Sequence, residues 1–317
     1  MAGGIGWWYL SFPVVSRAEP TEMAIEKGAS ARQVGQTLKD AGLIRSVNMF
    51  IFYTSLRGWS DKLEAGYYLI PSNVSMEEIA YLIATGIAHN DVVVLIPEGF
   101  NVWQIDERLA DAGLAERGQF SKVYYMREGY FFPDTYRFRK GGTIMEIAKK
   151  MEDNFNVRNV VHLGPLSIEA RDRIVTIASI IEKESLRGSA MNLVAGVIEN
   201  RVRRGMKLQI DATVSYGSCL RKFLAMIGPP AAGPAKNCFV NLEPVGKEIK
   251  IDGPYNSYTQ FGFPPGPISN PGAAALNAVL NPKGDYLYYL STRDGSRMIF
   301  SKTGAEHEAN RKKHLGL

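Results

Sequence analysis

Two glutamates flank a lysine, Glu182-Lys183-Glu184, directly after the apolar run 174–181. At 100° per residue, both carboxyls fall at the edges of the buried arc of a helix. Lys183 falls on the opposite, solvent-facing side. A carboxyl group at such an edge is partly desolvated. Desolvation raises its pKa, which a general acid needs at neutral pH. Periodicity does not choose between Glu182 and Glu184, and a Glu-Lys-Glu group is also the pattern of a solvated helix face. A polar and aromatic set follows: Asn200, Gln209, Asp211, Thr213 and Tyr216, then Tyr255, Asn256 and Tyr258 in YNSYTQFGFPPGPISNPG (255–272). Aromatic faces pack on pyranose rings, while amides and carboxylates bond hydroxyls. The set therefore suits sugar binding. A turn-rich loop with its polar groups satisfied internally has the same composition. Cys-x-x-Cys spacing is absent and the four histidines (His89, His162, His307, His314) are scattered. The residues call for neither a metal nor a cofactor.

These groups need a scaffold, and the pattern along the chain is α+β. Residues 167–204 read as two helices. Ser167 caps the first, with Ile174, Ala178 and Ile181 as its stripe. Met191, Val194, Ala195, Ile198 and Val202 form the stripe of the second, which ends at Gly205. After Val214 the chain reads as loop-rich. YLYYLS (286–291) and RMIFS (297–301) predict a hairpin around Asp294-Gly295.

Upstream, IEKGASARQVGQTLKDAGL (25–43) matches IPEGFNVWQIDERLADAGL (96–114) at a constant offset. Each copy carries a capping-box pattern, Ser30 with Gln33 and Asn101 with Gln104. Each also has a glycine stop, Gly42 or Gly113. The expectation is strand, short helix, glycine stop. GYYLIP (66–71) is a further strand candidate, and SMEEIAYLIATG (75–86) a further capped helix. Residues 22–88 then form a strand–helix–helix–strand–helix module for recognition or spacing, with a boundary near 88–91. The domains are expected at 1–16, 17–90 and 91–317.

Of the 317 residues, 45% are hydrophobic and 22% charged, which excludes a disordered or fibrous chain. Lys and Arg (37) exceed Asp and Glu (32) by five, without a basic run, so the sequence gives a nucleic-acid partner little support. The balance suits a carboxylate-rich polymer or an anionic membrane surface. Residues 2–15 carry no charge and include Trp7, Trp8 and Tyr9. They are shorter than the roughly 20 residues that span a bilayer. They read as the end of a membrane anchor with an interfacial aromatic belt, or as an apolar arm packed on the domain. An anchor would leave the rest outside the cytoplasm.

IPEG (96–99), EGYFFPDTYRF (128–138), ASIIEKES (178–185), ENRVRRGMKLQIDATVSYG (199–217), the 255–272 segment and EH (306–307) together resemble the YceG-like endolytic murein transglycosylases. The resemblance implies a LysM-like module before a mixed α/β catalytic domain. It also implies a single-pass inner-membrane anchor and a cell-wall synthase complex as partner. The activity it implies is cleavage of the MurNAc-β-1,4-GlcNAc bond inside peptidoglycan glycan strands, leaving 1,6-anhydro-MurNAc ends. The family's catalytic glutamate falls on Glu182, with Glu184 supporting or structural. Asp211 is the candidate second carboxylate. Two alternatives are a peptidoglycan-binding scaffold without turnover and a hydrolysing muramidase that uses Glu182 with Asp211. The sequence departs from the family pattern at Met298, where many members carry His, and at Ala212, where Pro is usual. Cys219 and Cys238 lie in the longer 218–254 stretch. In an oxidising periplasm they could close that loop as a disulfide or stay as two thiols.

Overall fold

The computed structural model describes residues 20–86, 91–184, 190–227 and 245–316. The expected anchor, 1–16, lies outside them, as does Cys238. Among the described residues no helix is long and apolar enough to cross a membrane. The chain divides into two compact units. One is the chain to Val93 with Arg137–Gly142. The other is Val94–Tyr136 with the chain from Thr143.

The first unit follows the expected element order. β1 (Thr21–Ile25) pairs antiparallel with β2 (Gly66–Ile70), Thr21 opposite Ile70 and Ile25 opposite Gly66. Between them lie α1 (Ala31–Asp40) and α2 (Val47–Leu56), and α3 (Met76–Ala84) follows. Local sequence sets the helix starts. Ser30 with Gln33, and Ser75 with Glu78, form complete capping boxes. Alternation along β2 turns Tyr68 and Ile70 inward, onto Val34, Leu38, Phe50, Ile79 and Ile83.

β3 (Asp91–Ile96) pairs with β4 (Asp134–Arg139). α4 (Val102–Asp111) repeats the α1 start, with Asn101 and Gln104 closing the box. α5 (Gln119–Tyr124) and a 3-10 turn (Tyr125–Arg127) lead towards β4. α6 (Ile144–Leu163), α7 (Ile168–Glu184), α8 (Ala190–Arg203) and α9 (Asp211–Ile227) are the long helices of the second unit. The short α10 (Val245–Glu248), α11 (Ala273–Leu280), the hairpin β5 (Tyr288–Ser291)–β6 (Met298–Ser301) and α12 (Gly304–Leu315) complete it. The hairpin lies where the Asp294-Gly295 turn placed it, and Ser167 caps α7 as expected. The fold is mixed α/β with small two-stranded sheets.

α9 corrects the expectation of a loop-rich stretch after Val214. Its buried residues (Ala212, Thr213, Val214, Ser215, Tyr216, Ser218, Cys219 and Phe223) lie on several faces and mix small polar with large side chains, so no single apolar stripe marks it. Gly217 belongs to the same close packing. A Cβ there would lie 2.8 Å from Tyr255 Cβ.

α7 packs on α8 and α11. From Val175 to Ile181 it is buried all round, which makes it the central helix of the unit. α8 in turn is pressed onto the 281–286 loop. Lys283 N–H donates to Asn192 O (2.9 Å), and Asn192 Nδ2 to Asn281 O (2.7 Å). At Gly196 a Cβ would lie 2.0 Å from the Lys283 carbonyl oxygen. Gly196→Ala should therefore destabilise the second unit by about 1–3 kcal/mol through overpacking. Urea unfolding would register this as a lower midpoint at unchanged m-value.

Candidate active site

Glu182 stands in the last turn of α7, where the buried run of the helix gives way to partly exposed residues. The loops around it are tied to the same helix. Ser179, fully buried, accepts the Ile268 N–H at its Oγ (3.0 Å), and its carbonyl accepts from Ser269 Oγ (3.0 Å). This ties the 268–272 segment to α7. Gly272 N–H then donates to Glu182 Oε2 at 3.0 Å. On the other side Gly99, in left-handed backbone (φ 75°), places its missing Cβ 3.4 Å from Glu182 Cγ. Burial is the main cause that raises the Glu182 pKa. The Gly272 N–H opposes it, Glu98 adds a further push upward, and Lys183 pulls down.

Lys183 does not face solvent, contrary to the reading from the helical wheel. Because α7 is enclosed, its ammonium is half-buried and donates to Gly99 O at 3.1 Å. Burial lowers its pKa. Glu184 accepts from Tyr289 Oη (2.8 Å), so its carboxyl ties α7 to β5. Burial raises its pKa, and the charge of Asp211 adds to this.

One buried amide joins the two loops around Glu182. Asn270 N–H and Nδ2 both donate to Phe100 O (2.8 and 2.9 Å), and Gly99 N–H donates to Asn270 O (2.9 Å). Asn270 Oδ1 accepts from Phe131 N–H (2.9 Å), and Nδ2 also reaches Glu128 Oε1 (2.8 Å). Glu128 is buried. Its Oε2 accepts the first N–H of α4, from Val102 (3.0 Å), and the Tyr216 hydroxyl (3.4 Å). Desolvation pushes the Glu128 pKa up to about 8, against those hydrogen bonds and the Lys183 charge.

The predicted sugar-binding residues divide into two groups. Asn200 is buried and donates to Gly284 O (3.2 Å) and Tyr286 O (3.0 Å). Asn256 donates to the carbonyls of Glu248, Ile249 and Ile251. Thr213 is buried between Ile210 O and Ser257 Oγ. These three side chains bond the protein itself. Tyr216 and Tyr255, ring centroids 5.0 Å apart, line a cavity of about 360 Å³ with Glu128, Tyr130 and Pro267. Gln209, in left-handed backbone (φ 53°), and Asp211 are exposed, and Tyr258 Oη donates to Asp211 at 2.7 Å. The charge of Asp211 bears on Glu184, whereas the carboxylate that bears on Glu182 is Glu98. Ala212 sits in the first turn of α9, held there by Thr213 N–H and Oγ1 on Ile210 O. Met298 opens β6 opposite Ser291.

Glu98, Glu128, Asn270 and Gly272 were given no role from sequence. All four lie inside motif strings singled out there, IPEG, EGYFFPDTYRF and the 255–272 segment. What was missing was their meeting point, which brings together residues as far apart in the chain as Glu98 and Gly272.

The YceG-like family model matches residues 23–313. An endolytic murein transglycosylase of Bacillus subtilis is 28% identical, over 92% of this chain and 84% of its own length. A protein of the same name from Streptococcus pneumoniae strain R6 is 26% identical over 92% of this chain, which spans only 58% of that relative. The crystal structure of a YceG-like protein from Listeria monocytogenes is similar at a TM-score of 0.56 and 26% identity, covering 92% of this chain and 99% of that one. With a family match that runs through both compact units, the chain belongs to the YceG-like family.

Proposed function

We propose that this protein is an endolytic peptidoglycan lytic transglycosylase with Glu182 as its acid and base. The observation that carries the reading is the environment of one carboxyl group. Glu182 is half-buried and kept proton-rich by desolvation and Glu98, and it is oriented by the Gly272 N–H. Among the described residues Oε1 has no hydrogen bond and is free to carry the proton. Protonated Glu182 donates to the departing GlcNAc O4 while positive charge builds at C1 of the muramic acid. The resulting carboxylate, stabilised by the Gly272 N–H, takes the proton of the C6 hydroxyl as that oxygen attacks C1. The attack is intramolecular, so its effective concentration is high and no water needs activation. A hydrolysing enzyme would need a second carboxylate aimed at water. Asp211, bonded to Tyr258 and acting on Glu184, does not support that pairing.

The same reading takes the first unit as LysM-like, because its two paired strands enclose two helices. It takes residues 1–16 as an anchor in the bacterial inner membrane, with the catalytic part outside the cytoplasm beside a cell-wall synthase. Cys219 and Cys238 close the loop after α9 in that oxidising space. For the N-terminal anchor and the synthase the support is the motif resemblance, and for the substrate it is the names of the relatives.

Digestion of purified sacculi followed by mass spectrometry tests the central claim. Wild type should release muropeptides with 1,6-anhydro ends, and Glu182→Gln should lower their rate of release by about 10²-fold or more. Reducing ends labelled from heavy-isotope water would favour the hydrolase instead, and undiminished anhydro product in Glu182→Gln would overturn the assignment. Only protonated Glu182 can donate. Because its pKa is raised, that form is complete in acid and is lost as pH rises through a value above the usual carboxylate range. The kcat profile should therefore keep its acid plateau beyond the pH at which an exposed glutamate ionises, then fall. Asn270→Ala should lower kcat by about 10- to 100-fold with a much smaller change in KM, since it frees both loops that orient Glu182. Steady-state kinetics on isolated glycan strands would measure that split.

A further inference from the structure

The sequence points to Asp211 as the second carboxylate of the reaction. The geometry points elsewhere. Glu98 and Glu182 converge on a single backbone residue, Gly272. Its N–H binds Glu182 Oε2 at 3.0 Å. On the side where a side chain would stand, a Cβ would lie 1.8 Å from Glu98 Oε1 and 2.3 Å from its Cδ. The Glu98 carboxyl occupies the space that a side chain at this position would fill. Gly272 is also the N-cap of α11 (φ −78°, ψ 174°), and the N-terminal end of a helix favours a negative charge. Glu98 is otherwise exposed and takes part in no ion pair among the described residues. The charged groups facing Glu182 are Glu98 from the 97–100 loop and Lys183 from its own helix, while the 269–272 loop contributes the Gly272 N–H. Lys183 directs its ammonium to Gly99 O.

We propose that Glu98 is a positioning residue for Glu182. Its carboxylate, lodged against Gly272, holds the loop that binds the acid and supplies the negative field in which Glu182 gives up and retakes its proton. The inference deepens the proposed reaction and rests on Glu182 being its acid and base. In the first half of the cycle the field of Glu98 keeps the proton on Glu182 until the glycosidic oxygen can accept it. As charge builds on the muramyl ring, the same field favours the cationic transition state.

The test uses the full chain with Glu98→Gln and Glu98→Asp. kcat and KM on isolated glycan strands are measured from pH 5 to 9. Glu182 is titrated in parallel by carbon NMR of 13C-glutamate-labelled protein, with Glu182→Gln used to assign its signal. Glu98→Gln, isosteric and at the surface, should lose about threefold in kcat at pH 5.5 and about tenfold or more at pH 8, with KM within about twofold. The Glu182 titration should move to lower pH in step. Glu98→Asp keeps the charge and should recover the wild-type pH limb in part. A Glu98→Gln profile parallel to wild type at every pH, or an unmoved Glu182 titration, would overturn the proposal. A change confined to KM would do the same. If Glu182→Gln itself stays active, the acid–base reading fails, while the NMR titration still decides whether Glu98 acts on Glu182.

Discussion

Asn270 uses every N–H it has, and both its oxygens, to join two loops that the chain separates by about 170 residues. Its amide oxygen takes the Phe131 N–H, its amide nitrogen faces the oxygens of Phe100 and Glu128, and its backbone pairs with Gly99 and Phe100. An asparagine offers these donors and acceptors and few more. The network also fixes which end of the amide is oxygen, because one side meets a donor and the other meets two acceptors. In a buried setting each of these bonds is costly to leave unmade. The wall around Glu182 is therefore defined by a polar knot. The apolar core beneath it, from Trp103 to Phe131, supplies bulk and excludes water.

That setting explains why carboxyl groups with raised pKa values gather here. Glu182 and Glu184 occupy the final turn of α7, where the helix dipole already disfavours negative charge. Burial is the dominant cause at both, as it is at Glu128. The three differ in what compensates. Glu128 receives three hydrogen bonds, Glu184 a tyrosine hydroxyl, and Glu182 one backbone N–H. Of the three, Glu182 is the one whose single partner is a backbone N–H at the N-cap of a helix. Lys183, the one cation in this helix end, is itself half-buried and directed to Gly99 O, so two carboxyls are desolvated here at a cost to stability that marks a place given over to chemistry.

Local signals in the sequence were reliable because they act over three or four residues. The capping boxes at Ser30, Ser75 and Asn101 all form, as does the hairpin at Asp294-Gly295. α9 was hidden because its buried side chains, polar and apolar together, surround the axis, which removes the apolar stripe that periodicity detects. Lys183 was misread for a related reason. A wheel assumes one wet face along the whole helix, and α7 has none from Val175 to Ile181. The amides of Asn200 and Asn256 look like sugar ligands in a string of letters, yet backbone carbonyls 84 and 8 residues away occupy them. Glu98 and Gly272 could not be linked from sequence, because the clue is the absence of a side chain at one position and its effect on a carboxylate far along the chain.

The repeated strand–helix unit shows how such a gap can come about. Gly28 and Gly99 hold matching places in the two copies and share a left-handed backbone, φ 81° and 75°. Around Gly28 the space is open, whereas at Gly99 the stem of Glu182 borders it. The residue before each differs as well, Lys27 in one copy and Glu98 in the other. A turn that tolerates only glycine for conformational reasons thus carries a ready-made hollow wherever it is duplicated. One copy kept it idle, and the other became a socket for a reactive group through changes in its neighbours alone.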